Sequence, residues 1–284
     1  MDNFPAERIG YPAPEPFAKL RQQMAQAITA GTWHSDPPPR EVWIDRVRTL
    51  WVEPKTRPRA TVLHFHGGGY RIGAPEMIMP YAAALAEACA MEVVLPAYRL
   101  APEYPFPSGL ADGLTVMRAL ARQGKTVILS GDSAGGGLAA ALMKLCIAHP
   151  LPVQALILHS AWLDLTVTSE TYHTNAATDP LFSFASATQA AELYLQGEAA
   201  EHPLASPVLA GVAGFPPSFI SVGTGEVLVN DSLRLHAALA QAEIPSELMA
   251  VEGMEHVAVT RGLKNHGAPE VFAGVTKFLQ EVTL

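Results

Sequence analysis

The chain has 284 residues, 49% hydrophobic and 16% charged, with a formal net charge of −8. That length allows a large core, as one elaborated α/β domain or two small ones, and the acidic balance without a basic run argues against nucleic acid as a partner. No stretch is long and apolar enough for a membrane span, no basic-then-apolar leader opens the chain, and Cys89 and Cys146 sit in helix-like patterns, so a soluble, cytoplasmic protein with buried free thiols is expected.

Residues 1–40 are set apart by prolines, at Pro12, Pro14 and Pro16 and again at Pro37-Pro38-Pro39. Between them Phe17, Leu20, Met24 and Ile28 recur at helical spacing, which predicts one amphipathic helix over 17–30, either a packed appendage or a flap over a site. Trp33 and His34 are candidates for a pocket wall, although simple packing is the commoner explanation of such a pair. Val42-Trp43-Ile44 and Leu50-Trp51-Val52 predict two strands in an antiparallel entry to a sheet. Apolar strands follow at 60–65, 91–98, 126–130, 155–159, 219–222 and 247–251, and helical patterns at 81–90, 108–123, 136–147, 232–242 and 269–282. This alternation predicts a mostly parallel sheet with helices on both faces, and the near-continuous apolar strands fit burial on both sides. Residues 165–206 interrupt it with polar segments and one helical pattern over 183–195. An insertion at this place is expected to build a lid or pocket wall. The chain thus divides into 41–164 with 207–284 as the main domain, and 1–40 with 165–206 as additions to it.

The strand at 126–130 runs into Gly131-Asp132-Ser133-Ala134-Gly135, and a small-residue helix follows. A G-x-S-x-G pentapeptide between strand and helix is the setting of a nucleophile elbow, where a sharp turn lifts a serine hydroxyl above the sheet edge. The flanking glycines suit a turn in which side chains would collide. A serine hydroxyl is a poor nucleophile at neutral pH and needs a base, an acid to orient it and donors for the developing negative charge. His66-Gly67-Gly68-Gly69 ends the strand at 60–65, and such a turn frees backbone N–H groups to approach a reacting carbonyl oxygen. Ten histidines compete for the role of base. His64 and His159 lie within strands, His173 and His202 in the insertion and His236 in a helix; His66 is expected to brace its own glycine turn. His256 directly follows the last strand and is the candidate base, with His266 a second choice. After the strand at 219–222, in the place where the acid belongs in the order Ser, acid, His, stand Glu226 and Asp231. Asp231 immediately precedes a helical pattern, where an aspartate makes a good N-cap.

Taken together, His66-Gly67-Gly68-Gly69-Tyr70, Tyr98-Arg99-Leu100-Ala101-Pro102-Glu103, Gly131 to Gly136 and the segments around Glu226 and His256 resemble the hormone-sensitive-lipase family of α/β-hydrolases, which includes many small bacterial esterases. The resemblance covers most of the chain from about residue 60 onward. It implies the α/β-hydrolase fold with a helical cap, drawn here from 1–40 and 165–206. It further implies a serine carboxylesterase with Ser133 as nucleophile, His256 as base and an oxyanion hole from the N–H groups of Gly68, Gly69 and Ala134. Glu226 occupies the position where the family usually has an aspartate, so the resemblance favours it over Asp231 as acid. Tyr70 stands where phenylalanine is commoner, a change expected to show in the acyl or alcohol pocket. Asp132, Arg99 and Glu103 are expected to hold loops around the site.

The implied partner is a small ester with a short acyl chain; no cofactor or metal is implied, since the histidines are scattered and the cysteines unpaired by spacing. A homodimer is compatible with the sequence. The same triad also serves amidases, peptidases and long-chain lipases, and the plant gibberellin receptor is a related binding protein that lacks a working triad. The short cap and the lack of an exposed apolar stretch favour soluble, short-chain esters.

Overall fold

In a computed structural model, which describes residues 4–283, eight strands form one sheet. They are β1 (Arg40–Ile44), β2 (Val47–Val52), β3 (Thr61–Phe65), β4 (Glu92–Pro96), β5 (Val127–Asp132), β6 (Val153–His159), β7 (Ser218–Gly223) and β8 (Ser246–Val251). Their spatial order is β1-β2-β4-β3-β5-β6-β7-β8; the β1–β2 and β2–β4 pairs are antiparallel and the other pairs parallel.

Period-two alternation explains the layers. Successive strand side chains point to opposite faces, so Leu63, Val94 and Leu129 enter one core while Val62, Val93 and Ile128 enter the other, all with no exposed surface. The first core is covered by α3 (Ser108–Arg122), α4 (Ala134–Ala148) and α7 (Val229–Gln241), the second by α2 (Met79–Cys89) and α9 (Ala268–Val282). In α9 the buried stripe is Val271, Val275, Phe278 and Leu279, the i, i+4, i+7, i+8 spacing that puts apolar groups on one helix face. Each such residue, fully buried, contributes roughly 1.5–3 kcal/mol. Both cysteines are buried and free.

The N-terminal helix α1 (Glu15–Thr29) buries none of its residues. Polar contacts hold it instead. Arg21 donates to the carbonyls of Arg71 and Ala101 and to Glu103 Oε1, the last at 2.7 Å. Arg8 donates to the carbonyls of Leu195 and Gln196, at the end of α6 (Phe184–Leu195), so the two segments outside the regular alternation meet. Glu103 also accepts the Ala13 amide; it ties down the N-terminal segment more than the loop that carries it. Helix α6 starts at Ser183, whose hydroxyl accepts the Ser186 amide as an N-cap. Two single-turn helices, α5 (Thr171–Thr174) and α8 (Ala258–Arg261), are too short to show a periodic signal. The carboxyl ends of β3, β5, β7 and β8 gather on one sheet edge, where open α/β sheets bind ligands.

Candidate active site

Ser133 sits at the β5–α4 turn with φ +52° and ψ −124°, outside the ordinary backbone regions. The turn tolerates this because its backbone is tied on both sides. The Ser133 amide donates to the His159 carbonyl at 2.9 Å, and the Ser133 carbonyl accepts the Trp162 amide at 2.9 Å. The need for glycine is steric: a Cβ on Gly131 would lie 2.3 Å from the Gly135 carbonyl oxygen, and one on Gly135 would lie 2.0 Å from that of Phe65.

Across the sheet edge, His256 Nε2 lies 2.9 Å from Ser133 Oγ, and His256 Nδ1 lies 2.6 Å from Glu226 Oε2. All three residues are buried. The other oxygen of Glu226 accepts the Ser160 hydroxyl at 2.8 Å and the Gly223 amide. Ser160 Oγ in turn accepts the Val257 amide, next to the histidine. Burial by itself would lower the His256 pKa, but the hydrogen bond and charge of Glu226, with the charges of Asp179 and Asp132, raise it above the ordinary histidine value of 6.5. The base must be neutral to take a proton. The acidic limb of kcat/KM is therefore expected to have its midpoint above pH 6.5, and Glu226→Gln to move it downward; a pH–rate profile of both enzymes checks this.

Asp231, the competing acid, is elsewhere. It is the third residue of α7 and caps no helix; its Oδ2 accepts the amides of Leu163 and Asp164 at 2.7 and 3.0 Å. It is not bonded to His256. The N-cap expectation fails because α7 begins earlier, at Val229, and the side chain turns to the β6 loop amides. His266 bonds the Glu252 carbonyl, away from the serine.

The glycine turn after β3 is bent sharply: Gly68 has φ +118° and Gly69 φ +59°, and a Cβ on Gly68 would lie 2.1 Å from the Ile72 carbonyl oxygen. The Gly68 carbonyl accepts the amides of Arg71 and Ile72. The N–H groups of Gly68, Gly69 and Ala134 donate to no acceptor among the described residues, and Ala134 is the first residue of α4, where such donors are left over. Asp132 holds this loop to the elbow, since its carboxylate accepts the Gly67 amide at 3.1 Å and bonds His64 Nε2 at 3.0 Å. His66 braces the same turn through the Gly67 carbonyl and stacks on Tyr98. Arg99 bonds Asp112 at the start of α3.

A cavity of about 410 Å³ opens over Ser133, with Trp33, Ile72, Met77, Leu181 and Phe182 on its apolar wall. His34 is exposed and bonds the Gly31 carbonyl. Tyr70 is not on the wall: it is buried and stacked on Tyr194 with ring centroids 3.8 Å apart. Three contributors carry no local sequence signal. Phe182 stacks on the His256 ring at 5.9 Å and 9°. Asp179 accepts the amides of Leu181, Phe182 and Val227, so one carboxylate places both the stacking ring and the turn of Glu226. Asn175 donates to the Glu226 carbonyl. Ser160 is different, for its place directly after the strand at 155–159 is a signal that puts it at the carboxyl edge of the sheet.

A family model for the α/β-hydrolase fold matches residues 62–260. An acetyl-hydrolase from Streptomyces hygroscopicus is 36% identical over 226 residues, 78% of this chain and 75% of that protein. An esterase from Acinetobacter venetianus is 34% identical over 220 residues, 76% of this chain and 73% of that one. Among solved structures, a hormone-sensitive lipase from a metagenome library superposes with a TM-score of 0.89 at 29% identity, covering 96% of this chain and 94% of its own. An esterase described as from the bacterial hormone-sensitive lipase family gives 0.88, with the same identity and coverage.

Proposed function

Since the chain belongs to the hormone-sensitive-lipase family of α/β-hydrolases and is a carboxylesterase, we propose that it cleaves short-chain esters through an acyl-enzyme on Ser133, with His256 as base and Glu226 as acid. The observation that carries this is the continuous pair of contacts from Ser133 Oγ to His256 to Glu226. His256 takes the Ser133 proton as Oγ attacks the ester carbonyl, and the tetrahedral oxyanion accepts from the N–H groups of Gly68, Gly69 and Ala134. The same proton passes to the departing alkoxide, and the C–O bond breaks to leave the acyl-serine. A water, deprotonated by His256, then attacks the acyl carbonyl and releases the acid and the free serine.

The segments 1–40 and 165–206 act together as the cap. Support comes from Trp33, Leu181 and Phe182 on the cavity wall and from the Arg8 bonds that join the two segments. We also propose a cytoplasmic location, which the two buried free thiols fit and which cell fractionation tests. Among the described residues no helix is long and apolar enough to cross a membrane.

The cavity volume is near the lower end for ligand sites, which supports small substrates. Against p-nitrophenyl esters, kcat/KM is expected to peak at short acyl chains and to fall beyond about eight carbons. A pocket open to longer chains would instead keep gaining up to ~0.8 kcal/mol per buried methylene. An activity that keeps rising past that length would replace the short-chain proposal with a lipase.

A further inference from the structure

Arg71 follows the oxyanion loop and lines the cavity over Ser133, yet it is only 7% exposed. Its guanidinium lies 4.7 Å from the Phe17 ring centroid, over the face of a residue in α1. Nη1 donates to Gln189 Oε1 at 2.9 Å, and Nη2 to the hydroxyl and carbonyl of Ser186 at 2.7 and 3.2 Å, both partners on α6. All of these partners are neutral. Every other arginine among the described residues is either exposed or paired with a carboxylate. The one carboxylate on the cavity wall, Asp132, is committed to His64 and Gly67. Arg261, the other arginine there, is paired with Glu255.

We infer that Arg71 anchors an anion subsite beside the oxyanion loop, and that the esters this enzyme prefers carry a carboxylate in their acyl or alcohol part. The inference rests on Ser133 being the esterase nucleophile. A buried cation without a counter-charge is costly, because its lost hydration is returned only in part by neutral acceptors. Burial accordingly pulls the Arg71 pKa below the ordinary arginine value, with no carboxylate acting against that pull. In clasping α1 and α6 to the loop the charge meets only the face of the Phe17 ring and neutral oxygens, which offset the lost hydration less than a carboxylate would. The geometry keeps a donor for a guest. Nε–H has no acceptor among the described residues, and Nε lies against the loop, since a Cβ placed on Gly69 would stand 3.3 Å from it. An anionic group arriving there meets a guanidinium already held in place, so little ordering is lost on binding, and the hydrogen bond formed is charge-assisted.

The test compares two pairs of esters in a pH-stat: monomethyl succinate with methyl butyrate, and acetoxyacetate with propyl acetate. In the wild type the anionic member of at least one pair is expected to have the higher kcat/KM, and the pair that shows it tells whether the carboxylate sits on the acyl or the alcohol side. Arg71→Gln should lower that anionic-to-neutral ratio at least tenfold, and Arg71→Lys should restore most of it. A ratio unmoved by Arg71→Gln, with both members slowed alike, would leave Arg71 a clasp and overturn the inference. So would a wild type that prefers the neutral ester in both pairs. A wild type inert to all four esters overturns this inference, while its rate on a short p-nitrophenyl ester, compared with that of Ser133→Ala, judges the role of Ser133 separately. A second measurement needs no variant: succinamate, with one carboxylate, is expected to protect Ser133 from phosphonate labelling at concentrations at least tenfold lower than the neutral succinamide, and equal potency counts against the subsite.

Discussion

Ser133→Ala is expected to lower kcat about 10⁴–10⁶-fold, the loss seen when one member of a catalytic unit is removed and only binding and oxyanion donors remain. The substitution deletes one oxygen atom. The bonds that hold the turn, from the Ser133 amide to His159 and from the Trp162 amide to the Ser133 carbonyl, belong to the backbone and survive it. Alanine experiences the φ of +52° much as serine does, so the backbone strain at the turn is unchanged and the melting temperature should stay close to that of the parent. Steady-state rates on a short p-nitrophenyl ester, with a thermal melt beside them, separate the catalytic loss from any loss of fold. A variant that still turns over near the parent rate would remove Ser133 from the reaction.

The second large effect distinguishes Glu226 from Asp231. Glu226→Gln should cost about 10⁴ in kcat, as loss of the triad carboxylate does where the geometry is otherwise kept. The reason lies in the far side of the side chain. Ser160 Oγ and the Gly223 amide both donate to Oε1, so the glutamine oxygen takes that side and its NH₂ faces His256 Nδ1. The imidazole must then accept at Nδ1 and carry its proton on Nε2, the tautomer that cannot take a proton from Ser133. Asp231→Asn should leave kcat within about tenfold, since it bonds backbone amides and not the histidine.

Its effect falls on stability. Burial pushes the Asp231 pKa from 3.8 up to about 7, over the opposing pull of the Leu163 and Asp164 amides and of Arg234. Between those pH values the folded chain keeps a proton that the unfolded chain has lost. The carboxyl group therefore contributes fully below about pH 4, and its contribution fades as the pH rises to about 7. Asparagine does not titrate, so the melting temperature of the wild type should gain on that of Asp231→Asn as the pH is lowered from 7 to 4. An activity loss in Asp231→Asn as deep as that of Glu226→Gln would hand the role of acid to Asp231.

The strands and long helices are legible in the sequence because period-two and period-3.6 patterns report burial directly. Helix α9 and strand β5 lie within a residue or two of where those patterns put them. The polar residues that steady the site are not legible in this way. Asp179 has no local signal at all, and local chemistry assigns Asp231 to a helix cap it does not make. Only their distant partners, at Val227 for one and at Leu163 for the other, separate a turn-holding carboxylate from a loop-holding one. Tyr70 is a similar case. Its place in the glycine motif suggested the substrate pocket, while its positive φ turns the ring down onto Tyr194.

By itself the sequence determined the family, the strand–turn–helix elbow at Ser133 and the glycine turn at 66–69, because each is a local pattern with its own steric requirement. Tertiary structure decided the rest. It brought His256 and Glu226 to one another across the β7–β8 edge, laid Phe182 on the imidazole, and left Arg71 buried among neutral partners beside the oxyanion loop. Those outcomes depend on contacts between residues as far as 123 positions apart, and separations of that kind leave no trace in local spacing.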